Sequence, residues 1–196
     1  AFQKDPAPVL ALLELLKDDP ALYVRRSVAN NLNDIGKDHP EVLTGTTHQW
    51  LQNASEERQW IVRHALRTAI KRGEPGALAV LGFGAQADVA VRSAQITPSR
   101  AAIGEKVVLA FEVVNRSAAP QLVLVDFQIH YTKANGSTAA KVFKLKTLEL
   151  QAAETARLQK TVSLAQMSTR THYPGRHQVD ALLNGHAQPL GHFDLA

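Results

Sequence analysis

The sequence predicts an α+β chain of two domains, in which α-helical repeats are followed by a β-sandwich. Three observations lead to this prediction. Apolar residues recur with helical spacing in the first part of the chain, and with a period of two from about Val89. A helical pattern repeats after 38 residues, and about seven short alternating segments fill the second part. We therefore expect a helical domain over residues 1–85 and a sandwich over residues 88–196.

The first domain is expected to contain four helices and a short helical turn. Gly36 is interpreted as the stop of the second helix and Gly73 as the stop of the fourth. The expected elements are a helix opening at Pro8, helices at about Leu22–Ile35, Pro40–Leu51 and Glu56–Arg72, and a turn at Ala77–Leu81. Helical spacing assigns a buried face to each of the two longer helices. These faces are Val24, Val28, Leu32 and Ile35 on the second helix, and Val62, Leu66, Ala69 and Ile70 on the fourth.

An internal repeat relates the second and fourth helices. The tetrapeptide beginning at Tyr23 (YVRR) aligns with that beginning at Ile61 (IVRH), and Val28 and Leu32 then align with Leu66 and Ile70. A period of roughly 40 residues with two helices per unit is typical of HEAT-like repeats. Two such units bury a core poorly. Together with a first residue, Ala1, that is not methionine, this leads us to expect a piece of a longer protein.

The second domain is expected to be an immunoglobulin-like sandwich. Its segments are rich in β-branched residues, and turn sequences such as Asn135-Gly136-Ser137 and Asn184-Gly185 separate them. About seven strands in roughly 110 residues are typical of that fold. The expected strands are Val89–Ile96, Lys106–Val114, Leu122–Tyr131, Lys141–Leu148, Glu154–Leu164, Arg176–Leu183 and Pro189–Leu195.

Composition narrows the possible functions. No apolar run is long enough to cross a bilayer, so we expect no membrane partner. The absence of cysteine excludes disulfides and thiolate chemistry and suits the cytoplasm, where we expect a monomer. The net charge is +4, a mild basic excess that is compatible with nucleic-acid binding without establishing it. The eight histidines have no metal-ligand spacing, so no metal site is expected.

A polar and basic stripe is expected on the helical domain. On a helical wheel, one side of the second helix and the matching side of the fourth present polar or cationic groups, and stacked helices would join them into one surface. Such a surface suits a phosphate backbone, and the alternative is an ordinary solvated face. The stripe comprises Arg26, Asn30, Asn33 and Lys37 with Asp34 at its margin, and His64, Thr68 and Lys71 with Arg63 and Arg67 at its edge.

Asp34 is an acid within this basic stripe. A carboxylate there could stabilise a cationic sugar intermediate or position a water molecule, whereas the simpler alternative is a helix-end acid in surface ion pairs. Trp50 and Trp60 are interpreted as packing residues between helices rather than as platforms for stacked bases.

Two long stretches resemble a known family. Tyr23–Glu41 (YVRRSVANNLNDIGKDHPE) and Arg58–Phe83 (RQWIVRHALRTAIKRGEPGALAVLGF) are similar to the two characteristic stretches of AlkC-type alkylpurine DNA glycosylases, a class built from HEAT-like repeats. Some members carry a C-terminal immunoglobulin-like domain. Over residues 86–196 the similarity is one of architecture more than of motif.

The resemblance implies a function and assigns roles to residues. The partner would be duplex DNA containing alkylated bases, and cationic purines such as 3-methyladenine would be excised without full base flipping and without a metal or nucleotide cofactor. Asp34 matches the family's catalytic aspartate. Arg25, Arg26, Arg63 and Arg67 would contact the DNA backbone or have structural roles, and both possibilities stay open. The family's other active-site groups, a glutamate and an aromatic residue, belong to repeats that precede this segment.

Loops of the sandwich are candidates for extending the grip on DNA, the alternative for each being a solvated turn. The loops Asn115–Pro120, Lys133–Thr138 and Ser168–Arg176 contain the cations Arg116, Lys133, Arg170 and Arg176. A rival hypothesis is a non-enzymatic scaffold that binds proteins or undamaged DNA. Such a scaffold should present apolar patches on its exposed face, where this sequence places Arg, Asn, His and Lys.

Overall fold

The computed structural model describes residues 3–84, 87–167 and 171–196, and the chain divides into two compact units, Ala1–Ala85 and Gln86–Ala196. Within the described residues the first unit is helical and the second consists of two β-sheets. The helices are α1 (Ala7–Leu16), α2 (Leu22–Asp38), α3 (Pro40–Trp50), α4 (Glu56–Ala65), α5 (Arg67–Lys71) and α6 (Pro75–Val80).

The second helix does not stop at the predicted glycine. Gly36 lies inside α2, which continues to Asp38, so its interpretation as a helix stop was wrong. A Cβ atom at Gly36 would lie 2.3 Å from Cδ2 of Leu43, far below a van der Waals contact. Glycine is therefore required here because α2 and α3 approach each other closely, not because the helix ends.

The predicted fourth helix is interrupted. α4 ends at Ala65, Leu66 adopts a turn with ψ near zero, and α5 begins at Arg67. Nη1 of Arg67 donates to the His64 carbonyl at 2.6 Å. In an uninterrupted helix that oxygen would accept from the Thr68 N–H, so the side-chain donor gives a local reason for the break. Gly73 ends the segment with a positive φ, as predicted.

The core of the helical unit forms where α2 packs on α3 and α4. Val28 and Leu32 are buried, as are all four residues of the predicted buried face on the fourth helix. Val24 and Ile35 are only half-buried. Ser55 begins α4 by accepting a hydrogen bond from the Arg58 N–H at 3.2 Å, which satisfies one of the free donors of the first turn.

The second unit is a sandwich of a three-stranded sheet, in the order β1-β3-β6, and a five-stranded sheet, in the order β2-β8-β7-β4-β5. Inward residues of β3 and β4 alternate with outward ones and meet in one core, in which Phe111 and Phe127 are buried. The strands are β1 (Val89–Thr97), β2 (Arg100–Ala101), β3 (Lys106–Asn115), β4 (Gln121–Thr132), β5 (Thr138–Leu150), β6 (Thr155–Ser163), β7 (Gly175–Leu183) and β8 (His186–Leu195).

Two features of the sandwich differ from the sequence prediction. The two-residue strand β2, which pairs in parallel with β8, was not predicted because two residues carry no periodicity. The strand predicted from Arg176 begins one residue earlier, at Gly175, so Arg176, which was also assigned to the end of a loop, is the second residue of β7 and pairs with Asp194 of β8. The predicted turn at Asn184-Gly185 is confirmed: both residues have positive φ, as tight hairpin turns require.

Candidate nucleic-acid interface

Asp34 presents an ionised carboxylate near the end of α2. Its side chain is 65% exposed and forms a 2.7 Å ion pair with the ammonium of Lys37, one turn further along the helix. The hydrogen bond from Lys37 holds the pKa of the Asp34 carboxyl below its ordinary value; the Asn33 amide and the charge of Arg67 act in the same direction, and partial burial opposes them. The carboxylate is therefore negative at neutral pH and accessible to a partner.

Asn30 joins α2 to the α4–α5 segment. Its amide oxygen lies 3.2 Å from Nε2 of His64 and accepts a hydrogen bond from Nη2 of Arg67 at 3.0 Å. Since Asn30 and Asp34 are four residues apart on one helix, this junction lies next to the carboxylate. The structure thus brings together three residues of the predicted stripe, Asn30, His64 and Arg67, close to a fourth, Asp34.

The polar and basic residues of the predicted stripe differ in how far their side chains are exposed to solvent. Asn30, His64 and Arg67 are half-buried in the contact between helices, and so can offer only part of their surface to a partner. The exposed basic residues of the stripe are Arg26, Lys37, Arg63 and Lys71. These four residues and the half-buried Arg67 are the arginines and lysines of the predicted stripe that have some exposed surface.

Asn33 does not belong to the exposed stripe, and its prediction as a surface contact was wrong. Asn33 is only 3% exposed, because it lies on the side of α2 that packs against neighbouring helices. Nδ2 makes a long contact of 3.5 Å with the Asp34 carboxylate, and Oδ1 has no hydrogen-bond partner among the described residues. A wheel at 100° per residue placed Asn33 in the stripe, because the wheel of a single helix does not show which side another helix covers.

Arg25 has a structural environment. Its Nη1 donates to the carbonyl oxygens of Asp19 at 3.0 Å and Pro20 at 2.8 Å, which close the loop between α1 and α2. These contacts tie the guanidinium to the backbone that precedes its own helix. The sequence gives no sign of this, because adjacent arginines at 25 and 26 look equivalent until the path of the loop is known.

The two tryptophans have different surroundings. Trp50 is buried and donates from Nε1 to a carboxylate oxygen of Glu14 at 2.7 Å, so its interpretation as a packing residue is confirmed. Trp60 is half-buried and stacks on the imidazole of His64, with ring centroids 4.9 Å apart and planes 8° from parallel. The spacing of four residues between Trp60 and His64 could have indicated this contact.

Three of the four sandwich cations predicted to approach DNA lie in the described residues. Arg116 forms an ion pair of 2.8 Å with Asp88, and Nε of Arg176 lies 3.3 Å from the Asp194 carboxylate. Lys133 is exposed in the turn between β4 and β5. Arg170 lies outside the described residues.

Neither a metal centre nor a membrane-crossing helix is present in the described part of the chain. In residues 3–84, 87–167 and 171–196, no group of three or more His, Asp or Glu side chains is arranged to hold a metal ion. None of the described helices combines the length and the apolar character that a membrane crossing requires.

A helical unit with a carboxylate set among cations, followed by a two-sheet sandwich, defines the class of this chain. The chain belongs to the family of the C-terminal Ig-like domain of YhaZ, whose model matches residues 90–196. A curated relative, the uncharacterised protein YhaZ of Bacillus subtilis (strain 168), is 37% identical over 185 residues, which are 94% of this chain and 51% of the relative.

The similarity to AlkC-type alkylpurine DNA glycosylases is confirmed by a solved structure. The structure of Pseudomonas fluorescens alkylpurine DNA glycosylase AlkC, bound to DNA containing an abasic site analog, matches with a TM-score of 0.95 and 42% identity. The match covers 100% of this chain and 54% of that protein. The chain therefore spans about half the length of each of these relatives.

Proposed function

We propose that the chain is part of a DNA-repair glycosylase that binds alkylated duplex DNA and hydrolyses the N-glycosidic bond of cationic alkylpurines such as 3-methyladenine. The observation that carries the proposal is the exposed, ionised Asp34 carboxylate on a cationic helical surface. Similarity to AlkC along the whole chain supports it. The HEAT-like interpretation of the helical unit belongs to the same proposal.

The proposed chemistry needs little from the protein beyond electrostatics. A purine that is alkylated on a ring nitrogen carries a positive charge and is already a good leaving group. As its bond to the deoxyribose breaks, positive charge grows on the sugar, and a fixed carboxylate stabilises that charge. Asp34 has this role in our proposal, and water supplies the oxygen that replaces the base. Neither a metal nor a nucleotide cofactor is required.

Cations of the helical surface would hold the phosphate backbone. Lys and Arg side chains bind phosphates largely by releasing condensed counterions, which makes such binding dependent on salt. The proposed contacts are Arg26, Lys37, Arg63, Lys71 and the accessible part of Arg67, with Asn30 and His64 at the margin. Arg25 is assigned to holding the α1–α2 loop, because its guanidinium already donates to two backbone carbonyls.

The sandwich would add contacts from its exposed cations. Lys133 projects from a hairpin turn. Arg116 and Arg176 are paired with Asp88 and Asp194 at exposed positions, and exposed ion pairs of this kind contribute little to stability, so phosphates can compete for them. Arg170 remains a candidate phosphate contact because of its positive charge.

Activity is proposed for a polypeptide of the relatives' length rather than for this segment alone. Leu12, Leu15 and Tyr23 are 60%, 80% and 80% exposed, and apolar groups this accessible favour coverage by another element. We propose that further helical repeats cover this face, that the whole protein is a cytoplasmic monomer, and that the 196-residue chain by itself does not excise bases.

The same exposed leucines are the observation that favours the rival hypothesis, a protein-binding scaffold. Release of free 3-methyladenine from methylated duplex DNA by the longer polypeptide, in single-turnover conditions with excess enzyme, separates the two. Release above a heat-inactivated control supports the glycosylase. No release from a folded, DNA-binding protein overturns it and leaves the scaffold.

A further inference from the structure

The amide oxygen of Asn30 is the meeting point of two donors from the next helical segment. Nη2 of Arg67 donates to it at 3.0 Å, and Nε2 of His64 lies 3.2 Å away. A carbonyl oxygen has two lone pairs, so these two bonds use its full accepting capacity. Because the oxygen can only accept, the proton of the His64 ring must be on Nε2.

The second donor is itself held in place. The His64 ring stacks on Trp60 at 4.9 Å, and its backbone carbonyl accepts from Nη1 of Arg67 at 2.6 Å. Arg67 is thus attached to one amide oxygen and one carbonyl oxygen, both on residues that are fixed by their own helices. The position of its guanidinium is determined by neutral acceptors.

The charge of Arg67 is not neutralised by a carboxylate. Among the described residues, the ion pair of Asp34 is with Lys37, and Arg67 takes part in no ion pair. Its charge nevertheless acts on Asp34, whose pKa it helps to lower. The guanidinium therefore influences the carboxylate while both of its described hydrogen bonds go to neutral oxygens.

We propose that Asn30 is a positioning residue for Asp34: its amide oxygen holds the Arg67 guanidinium beside the carboxylate and prevents the two from forming an ion pair. The importance of this arrangement rests on the proposed glycosylase function. A carboxylate that stabilises a cationic sugar must be ionised, which a nearby cation favours. Lys37 already pairs with Asp34, but Lys37 is exposed and can bind a phosphate instead. A second ion pair, with the half-buried Arg67, would still neutralise much of the field of the carboxylate once DNA is bound.

The test is an NMR pH titration of the Asp34 side-chain carboxyl in the 196-residue chain. Asn30→Leu removes the acceptor, so Arg67 is released and pairs with Asp34, and the pKa of Asp34 falls further. In Asn30→Leu combined with Arg67→Leu this additional fall disappears. The matched control is Asn31→Leu, because Asn31 is exposed and its Nδ2 donates only to the Ser27 carbonyl of the same helix.

An unchanged or raised pKa of Asp34 in folded Asn30→Leu overturns the proposal, as does an additional fall that persists without Arg67. Amide spectra establish whether each variant is folded. If the leucine variant is not, Asn30→Ser, whose short hydroxyl does not reach Arg67, gives the same readout with the same expected direction.

Excision by the longer polypeptide distinguishes the failure of this inference from that of the proposed function. Asn30→Leu should slow single-turnover release of 3-methyladenine about tenfold or more, a larger factor than any loss of DNA affinity that follows from the displacement of Arg67. If no variant excises, the glycosylase proposal fails, yet the titration still decides whether Asn30 positions Arg67. If Asn30→Leu excises normally, Asn30 has no positioning role for the reaction.

Discussion

Asp34 and Lys37 form an i,i+3 ion pair of 2.7 Å on α2, so the carboxylate that we propose to be catalytic shares its nearest cation with the surface that we propose to bind phosphates. When a phosphate takes Lys37, the carboxylate loses its closest partner and becomes more available to positive charge on the substrate. In our proposal, the pair would therefore couple DNA binding to the electrostatic environment of the Asp34 carboxylate.

Replacing Lys37 with methionine should therefore have two effects. The pKa of Asp34 should rise, because the largest cause of its lowering is the hydrogen bond from Lys37. Duplex DNA binding should weaken, and the slope of log affinity against log salt should fall by about one, the value for one lost phosphate contact. NMR titration and fluorescence anisotropy at several salt concentrations measure these changes.

The matched control is Lys17→Met. Lys17, the residue that follows α1, also pairs with an acid three residues away, Glu14, and lies outside the proposed surface. It should leave both the salt slope and the pKa of Asp34 unchanged. Equal effects of the two substitutions on DNA binding would remove the support for a specific cationic surface.

Gly36 and Gly45 provide a second paired prediction, on stability. Gly36→Ala places a Cβ atom 2.3 Å from Leu43 Cδ2 and should destabilise the helical unit by about 1–3 kcal/mol, the usual range for overpacking. Gly45→Ala, inside α3 with open space around it, should stabilise by about 0.4–1 kcal/mol. Urea unfolding followed by the helical circular dichroism signal measures both changes in the free energy of unfolding. If Gly36→Ala stabilised the protein as Gly45→Ala is expected to do, the close approach of α2 and α3 would be contradicted.

The residues that sequence periodicity identified correctly are those whose environment depends on one element. Val28 and Leu32 are buried, and Lys37 and Arg63 are exposed, because a single amphipathic helix determines these positions. The two failures at Asn33 and Gly36 have a shared cause. Both lie on α2 where other helices pack against it, and the approach of a second helix is not encoded in the pattern of the first.

The internal geometry of the candidate site was likewise beyond the sequence. The repeat aligns Asn30 with Thr68, but the amide of Asn30 contacts His64 and Arg67, because packed helices bring residues together that are not equivalent in the repeat. Arg25 and Arg26 are adjacent in sequence, and only the course of the preceding loop gives the first a structural environment. Asp34 was identified through a family resemblance, since an exposed acid near a helix end has no distinctive pattern.

His177 should make the sandwich less stable in mild acid. The ring is fully buried, accepts from the Thr132 N–H at Nδ1 and approaches the Tyr173 carbonyl through Nε2, an arrangement of the neutral form. Burial lowers the pKa of His177, while the Tyr173 carbonyl and the charge of Asp194 oppose the shift. At pH values between the lowered pKa of folded His177 and its ordinary pKa of 6.5, the unfolded chain binds a proton that the folded chain does not. The free energy of unfolding therefore decreases as the pH falls through this range.

Hydrogen exchange of the Thr132 amide measures this effect, after correction for the intrinsic rate. Its protection should decrease as the pH is lowered below 6.5. In His177→Phe, which can retain stacking on Phe193, the Thr132 amide should be less protected at pH values above this range, and its protection should depend less on pH. Exposed His192, changed to Gln, is the control and should preserve the pH dependence. A protection factor that is independent of pH in the unmodified chain would contradict the buried neutral imidazole.

Leu15 tests whether the exposed face of α1 is covered in the longer protein. In the 196-residue chain Leu15→Lys should change the unfolding free energy by less than about 0.5 kcal/mol, as expected for an exposed position. In a polypeptide of the relatives' length it should be strongly destabilising, because a charge would be buried. Leu13→Ala, at a buried position, should cost about 2–5 kcal/mol in both. A neutral effect of Leu15→Lys in the longer protein would show that nothing covers this face.

The measurement that tests the central proposal most directly is single-turnover excision of 3-methyladenine by Asp34→Asn in the longer polypeptide, with DNA affinity measured on the same variant. Asparagine keeps the shape and removes the charge. Excision should fall by about 10²–10³, the usual loss for one well-placed electrostatic group, while DNA affinity stays equal or improves because a negative charge leaves a phosphate-facing surface. Asp38→Asn, an exposed acid one turn further along α2, is the matched control and should excise normally. A near-normal rate for Asp34→Asn would contradict the catalytic assignment and leave Asp34 as a helix-end acid paired with Lys37.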